Sequence, residues 1–158
     1  MDVIIRPMTK DDVDGCAAIV CASSIGERYG FRPEAMARSL AAALDSGGEL
    51  FVAEGEGALA GFVWMDRLGA FSSAPYLRLI AVDESIRGAG VGKRLLAEFE
   101  RRGEAVGRDF CLLVSDFNAT AQDFYERQGY RKVGALPDFA RKGITEIIMV
   151  KKRGGEAV

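Results

Sequence analysis

A chain of 158 residues with 49% hydrophobic and 28% charged residues has the composition of one soluble globular domain, with enough length for a real core and no apolar run that could span a membrane. Its formal net charge of −2 argues against general nucleic-acid binding, and the start, Met1-Asp2-Val3-Ile4-Ile5-Arg6, lacks the features of a signal peptide, so a cytoplasmic location is expected. The absence of histidine excludes a Ser-His-Asp triad, a Cys-His pair and nearly every common catalytic zinc site. Proton transfer is left to Tyr, Glu, Asp, Lys, Cys, water or backbone.

Residues 3–6 read as a short strand ending at Pro7. Thr9 is the expected N-cap of a helix with Asp11 and Asp12 in its first turn and Val13, Cys16, Ala17, Val20 and Cys21 at helical spacing. Cys16, Cys21 and Cys111 have neither metal-ligand nor redox spacing and are expected to be small core residues. The segment 23–32 has no clean period and carries Tyr29 and Phe31, so it reads as a loop with exposed aromatics. Pro33 opens a second helix carrying Met36, Leu40 and Leu44, which Asp45-Ser46-Gly47-Gly48 ends. Residues 50–53 and 58–66 read as a β-hairpin, and 69–75 as a connection into a strand at 76–82. After a long helix, Phe110-Cys111-Leu112-Leu113-Val114 has the near-continuous apolar character of a strand buried on both faces. Strand, crossover helix and strand imply a parallel, right-handed βαβ unit. Asn118 or Thr120 begins a helix to Arg127, followed by Gly129, a strand at 130–134, an irregular stretch at 136–143 and a last strand at 145–150.

The chain is organised around the turn Arg87-Gly88-Ala89-Gly90-Val91-Gly92, which joins the 76–82 strand to the long helix. A helix start leaves backbone N–H groups without partners and carries partial positive charge, so an anion satisfies both. Glycines at 88, 90 and 92 let the main chain approach such an anion closely, and Arg87 and Lys93 add cations. Val91, Leu95, Leu96 and Phe99 form the apolar stripe of the helix, and Gly103 is its expected stop. The turn therefore reads as a pyrophosphate site. A dinucleotide fingerprint fails because Lys93 stands where its third glycine belongs, and a P-loop fails because Arg94 stands where its Ser or Thr belongs.

What remains, Arg-x-x-Gly-x-Gly after a strand ending Ala81-Val82, resembles motif A of the GNAT superfamily, the acyl-CoA-dependent N-acyltransferases. The stretch from Asn118 through Phe124-Tyr125-Glu126 to Gly129-Tyr130 also resembles that family, and the order of elements agrees with it over nearly the whole chain. The resemblance implies an α/β (α+β) fold: a mixed, mostly antiparallel sheet with a central splayed parallel strand pair and helices on both faces. It implies a single domain over residues 1–153 with a short tail at 154–158.

The resemblance further implies acetyl-CoA as acyl donor, with no metal. Main-chain groups near Ile80, Ala81 and Val82 would meet the pantetheine arm. The pyrophosphate would lie on Arg87, Gly88, Ala89, Gly90, Val91, Gly92 and Lys93, and Asn118 would contact a pantetheine amide. An amine would attack the thioester directly, with the Val82 backbone N–H as oxyanion donor and Tyr125 as general acid for the leaving thiolate. The strand before the turn carries Tyr76 and Arg78, where many family members place a glutamate, so the general base is open among Asp66, Asp116 and Glu27. Arg78 is either a reader of a substrate carboxylate or half of a salt bridge. The acceptor site is expected from the segments 23–32, 69–75 and 136–143, the acceptor being an amine with a lean toward a small molecule. A homodimer through the final strands is compatible with the pattern. The rival reading is a catalytically inactive acyl-CoA-binding or sensing module.

Overall fold

The computed structural model of the chain describes residues 2–155. In order, these form β1 (Ile4–Pro7), α1 (Val13–Ala22), α2 (Ser24–Tyr29), α3 (Pro33–Asp45), β2 (Glu49–Gly55), β3 (Ala58–Ala70), β4 (Ala74–Val82), α4 (Val91–Gly103), β5 (Phe110–Ser115), α5 (Ala119–Arg127), β6 (Arg131–Pro137) and β7 (Thr145–Lys151). Among the described residues the strands make one sheet in the order β1-β2-β3-β4-β5-β7-β6. Its registered pairs β1–β2, β2–β3, β5–β7 and β6–β7 are antiparallel, and β4–β5 at the centre is parallel. This is the expected mixed, mostly antiparallel sheet. No helix among the described residues is long and apolar enough to cross a membrane. Of the expected tail, residues 156–158 lie outside the described residues.

The contacts divide the chain into two units: one made of the chain up to Met65 plus Leu79–Phe99, the other of Asp66–Arg78 plus the chain from Glu100 onward. In the first unit, Val13, Cys16, Ala17 and Val20 of α1, Leu40 of α3, Leu50 and Val52 of β2 and Phe62 of β3 form one buried cluster with Met8. Each such side chain contributes on the order of 1.5–3 kcal/mol by leaving water. Cys16 belongs to this core, and burial pushes its thiol up to about 12. Gly61, the residue before Phe62, faces the other way, where a Cβ would come 3.1 Å from Leu95 of α4. Neighbouring strand residues point to opposite faces, so this unit carries helices on both faces of the sheet.

Its N-terminal entry is fixed by charge. Arg6 grips Asp12 at 2.8 and 2.9 Å while its Nε donates to Glu54 at 2.7 Å, and Asp12 also accepts the Thr9 N–H at 2.8 Å. The Arg6 hydrogen bonds, ahead of the others, hold the buried Asp12 carboxyl down to about 2.

Two segments expected to be irregular are ordered otherwise. Residues 24–29 form helix α2 rather than a loop: Ser23 Oγ accepts the Gly26 N–H at 3.1 Å at one end, and Gly30 at φ +71° closes the other. Tyr29 is buried and stacks on Phe31 with ring centroids 5.5 Å apart. A helix of six residues is specified by its caps and is too short to display a period. The β2–β3 turn is Glu56-Gly57, both at positive φ, as a two-residue hairpin requires.

In the second unit, the expected connection 69–75 shrinks to a tight turn, because β3 runs to Ala70 and β4 starts at Ala74. Phe71 and Ser72 both take φ +54°, a backbone conformation strained for a bulky side chain, and Phe71 is 89% exposed. Parallel pairing of β4 with β5 is short, registering Tyr76 with Cys111 and Leu77 with Leu112, while β5 and β7 pair along their whole length from Phe110–Lys151 to Ser115–Glu146. Gln122 of α5 is buried and its Nε2 donates to the Ser115 and Asp116 carbonyls at 2.9 and 3.1 Å, which anchors α5 at the end of β5. Glu100 at the end of α4 accepts from Lys151 at 3.0 Å through both oxygens and from the Tyr130 hydroxyl at 3.1 Å.

Candidate active site

The glycine turn belongs to the first unit. β4 ends at Val82, and Asp83 then caps a 3-10 turn at Glu84–Ile86 by accepting from the Ser85 hydroxyl at 2.7 Å and the Ser85 N–H at 2.9 Å, which lowers the Asp83 carboxyl. The Asp83 N–H bonds the Ala60 carbonyl of β3 at 2.9 Å. Arg87, Gly88, Ala89 and Gly90 are exposed, with Gly88 at φ +84° and Gly90 at φ +83°, and open space lies where a Cβ would sit on either glycine.

The N–H groups of Arg87 and Ala89 close back on the carbonyls of Glu84 and Ile86 at 3.4 and 3.3 Å. The first N–H bonded into α4 is that of Arg94, to the Gly90 carbonyl at 3.2 Å. By helix geometry the N–H groups of Val91, Gly92 and Lys93 therefore point outward from the helix start. Buried Val91, Leu95, Leu96 and Phe99 hold that helix start in place. Arg87 carries a loose ion pair to Glu84 at 3.3 Å, both side chains about half exposed, and Lys93 is exposed. A rigid, cationic, sterically open helix N-terminus fits an oligophosphate.

The side-chain chemistry belongs to the second unit. Asn118 caps α5, its Oδ1 accepting the Ala121 N–H at 3.1 Å, which settles the helix start in favour of Asn118 over Thr120. Tyr125, about two turns further on, is only 6% exposed and packs edge-on against Phe124 and Tyr130 at 5.3 and 5.8 Å. Burial, and then the neighbouring Tyr76, push its phenol well above the usual tyrosine range. No hydrogen bond to the Tyr125 hydroxyl is formed among the described residues, and none of their buried polar side-chain atoms lacks a partner, so the hydroxyl opens onto accessible space.

Tyr76 is half-buried; burial raises its phenol, Arg78 opposes that, and the carboxylates of Glu146 and Asp66 add to it. Of the carboxylates considered from sequence, Asp66 is paired with Arg78 at 3.4 Å, which also gives Arg78 the salt-bridge reading, and Asp116 and Glu27 are exposed. A further carboxylate of this unit, Glu146, is buried in β7. Its signal was present: a lone charge within the apolar run Ile144 to Val150. Among the described residues no group of three or more His, Cys, Asp or Glu is placed to hold a metal ion.

Among curated proteins the chain is similar to a blasticidin-S acetyltransferase of Streptomyces morookaense, 36% identical over 77 residues, 49% of this chain and 56% of that one. It is also similar to the N-alpha-acetyltransferase RimI of Mycobacterium tuberculosis, 27% identical over 158 residues, 98% of this chain and 94% of that one. The chain thus spans little more than half the length of the first relative and nearly all of the second. Among solved structures, an N-acetyltransferase from Staphylococcus aureus Mu50 superposes with a TM-score of 0.79 at 19% identity, over 96% of this chain and 99% of that one. A Bacillus anthracis protein described as a streptothricin acetyltransferase, solved in complex with acetyl coenzyme A, superposes with a TM-score of 0.60 at 22% identity, over 66% and 62% of the two chains. These likenesses to solved structures speak for the fold. The model of the acetyltransferase (GNAT) domain matches residues 21–153, a span that contains both the glycine turn and the Tyr125 helix, and this chain belongs to the GNAT acetyltransferase family.

Proposed function

We propose that this chain is an N-acetyltransferase that moves the acetyl group of acetyl-CoA to a primary amine by direct attack, within one domain over residues 1–153. The observation that carries the reading is the open turn at 87–92, with its two glycines at φ +84° and +83° at the start of a helix fixed by buried side chains. A pyrophosphate there would take the N–H groups of Gly88, Gly90, Val91, Gly92 and Lys93, each charge-assisted bond contributing on the order of 1.5–3 kcal/mol. The cations of Arg87 and Lys93 would flank it, and the Ala89 segment would set the curvature of the turn. Ile80, Ala81 and Val82 supply main-chain partners for the pantetheine arm, and Asn118, whose Oδ1 is used in capping, offers its Nδ2 as a donor.

Acetyl-CoA brings an activated acyl carbonyl and a thiol leaving group. The Val82 N–H is the donor assigned to the carbonyl oxygen as charge develops there. Tyr125 is assigned the role of acid for the departing thiolate, since a phenol and a thiol have ordinary pKa values of about 10 and 8.5 and burial keeps this phenol protonated at neutral pH. One relative is named for blasticidin-S and another for N-alpha-acetylation, and a small-molecule amine is the acceptor class to screen first.

The rival reading, a catalytically inactive acyl-CoA-binding module, draws support from β4, which carries Tyr76 and Arg78 and no carboxylate. Tyr125→Phe separates the two. Thiol release from acetyl-CoA is measured with an amine panel, alongside acetyl-CoA affinity. An enzyme loses turnover and keeps affinity, whereas a sensor shows no turnover in the unmodified protein.

A further inference from the structure

The Tyr125 hydroxyl forms no hydrogen bond among the described residues, so the direction of this buried phenol is set by the rings it packs on. Phe124 and Tyr130 both meet it edge-on, with centroids 5.3 and 5.8 Å away. Tyr130 is brought there by the way α5 ends. Gly129, at φ +95°, donates its N–H to the Glu126 carbonyl at 3.0 Å, and the Tyr130 N–H reaches back to the Tyr125 carbonyl at 3.0 Å. Such a paired closure at a glycine lays the next side chain onto the one five positions earlier, here Tyr130 onto Tyr125. For that contact a leucine or a phenylalanine would suffice.

The hydroxyl of Tyr130 has a separate use. Tyr130 is 1% exposed, and a hydroxyl taken out of water is costly unless it is bonded. It donates to Glu100 at the end of α4 at 3.1 Å, and Glu100 accepts from Lys151 of β7 at 3.0 Å through both oxygens. Lys151 Nζ also stands over the Tyr130 ring, 5.9 Å from its centre, within reach of a cation–π attraction. The Lys151 and Glu100 side chains are only 25% and 22% exposed, so water screens this pair less than one on the open surface. The ring that borders Tyr125 is therefore fixed from three elements: α5 through the backbone, α4 through Glu100 and β7 through Lys151.

We propose that Tyr130 is a positioning residue for Tyr125: tethered by its hydroxyl to Glu100, it holds the Tyr125 ring in the orientation that brings the phenol to the departing thiolate. The proposal rests on the acyltransferase reading above. Tyr130 itself exchanges no proton in the reaction, because its hydroxyl is committed to Glu100. Without the tether its ring can rock within the same apolar contact, and the Tyr125 phenol moves with it. A displacement of about 1 Å at a reacting group can lower a rate by on the order of 10²-fold, and a smaller rocking lowers it less.

The test is a double-mutant cycle read in kcat. Acetyl transfer from radiolabelled acetyl-CoA, which keeps slow variants measurable, is followed with butylamine, spermidine and an alanine-terminated peptide as acceptors. The proteins compared are the unmodified chain, Tyr130→Phe, Tyr125→Phe and the double variant, each with its acetyl-CoA affinity measured calorimetrically and its urea midpoint recorded. Tyr130→Phe keeps the ring and loses the tether, and should lower kcat by about 10-fold with acetyl-CoA affinity within roughly twofold. Made in the Tyr125→Phe background, the same change should lower kcat by less than about twofold, because the group it positions is already gone. Glu100→Ala cuts the tether from its other end and should show the same dependence on Tyr125, which keeps the test sound if one variant folds poorly. Equal losses in both backgrounds, as a merely structural Tyr130 would give, or a Tyr130→Phe variant with the kcat of the unmodified protein, would overturn the proposal and leave the acyltransferase reading intact. Unchanged kcat in Tyr125→Phe would overturn the proposal together with the assignment of Tyr125 as the acid. An unmodified protein that acetylates none of these amines, or that fails to bind acetyl-CoA, would overturn the proposal and the reading beneath it.

Discussion

The glycine turn and the tyrosine face differ in what they are built from. At 87–92 the proposed chemistry lies in main-chain N–H groups, glycine conformations and a helix terminus, all contiguous in sequence, with residues 87–90 exposed. In the second unit the proposed chemistry lies in the side chain of Tyr125 of α5, which is buried, with the half-buried Tyr76 of β4 as its neighbour. A site made of backbone depends on few side chains, but a Cβ where φ is positive strains it. One made of side chains keeps its shape after a single substitution and loses its chemistry. The two should therefore fail in different ways.

The largest expected effect is at the turn. Gly90→Glu places both a strained φ and a negative charge at the proposed anion site, and the KM for acetyl-CoA should rise more than about 100-fold in a thiol-release assay while far-UV circular dichroism stays unchanged. Tyr125→Phe should do the opposite, lowering kcat by about 10²–10⁴-fold with acetyl-CoA affinity within roughly twofold. If Tyr125→Phe weakened cofactor binding as much as Gly90→Glu, the contrast between the two regions would be lost.

Charge networks that contain none of the proposed reacting groups should change stability first. Asp12 has its carboxyl held at about 2 by Arg6, below its unfolded value near 3.9. A depressed carboxyl contributes stability above its unfolded pKa and loses it as pH falls through the folded one. Asp12→Asn should thus cost about 2 kcal/mol in urea unfolding at pH 7 and almost nothing near pH 2. Glu100→Gln, which loosens the partly buried Lys151 and Tyr130 contacts, should cost roughly 1 kcal/mol. Smallest of all, Ser72→Gly should raise stability by a few tenths to 1 kcal/mol, because its φ of +54° suits glycine.

The same contrast explains what was legible in the sequence. The order of elements, the β4–β5 parallel pair, the α4 stripe and the turn all leave local marks: periodicity, an apolar run, or glycines at short spacing. The Ser24–Tyr29 helix leaves none, because it is held by the Ser23 and Gly30 caps and by Tyr29 stacking on Phe31. The turn at Phe71 and Ser72 was hidden for another reason. Residues with no preference for positive φ occupy it, and strand pairing imposes the conformation. The shared face of Tyr76 and Glu146 was hidden by distance, since only the register of β5 with β7 and of β4 with β5 aligns them.

The central claim is that the 87–92 turn binds the pyrophosphate of acetyl-CoA, and it is tested most directly by calorimetric titration of the purified protein with acetyl-CoA, ATP and NAD, in parallel with Gly90→Glu. The account predicts selective binding of acetyl-CoA that disappears in the variant. Well-folded protein that ignores acetyl-CoA, or that binds it equally well as Gly90→Glu, would contradict it.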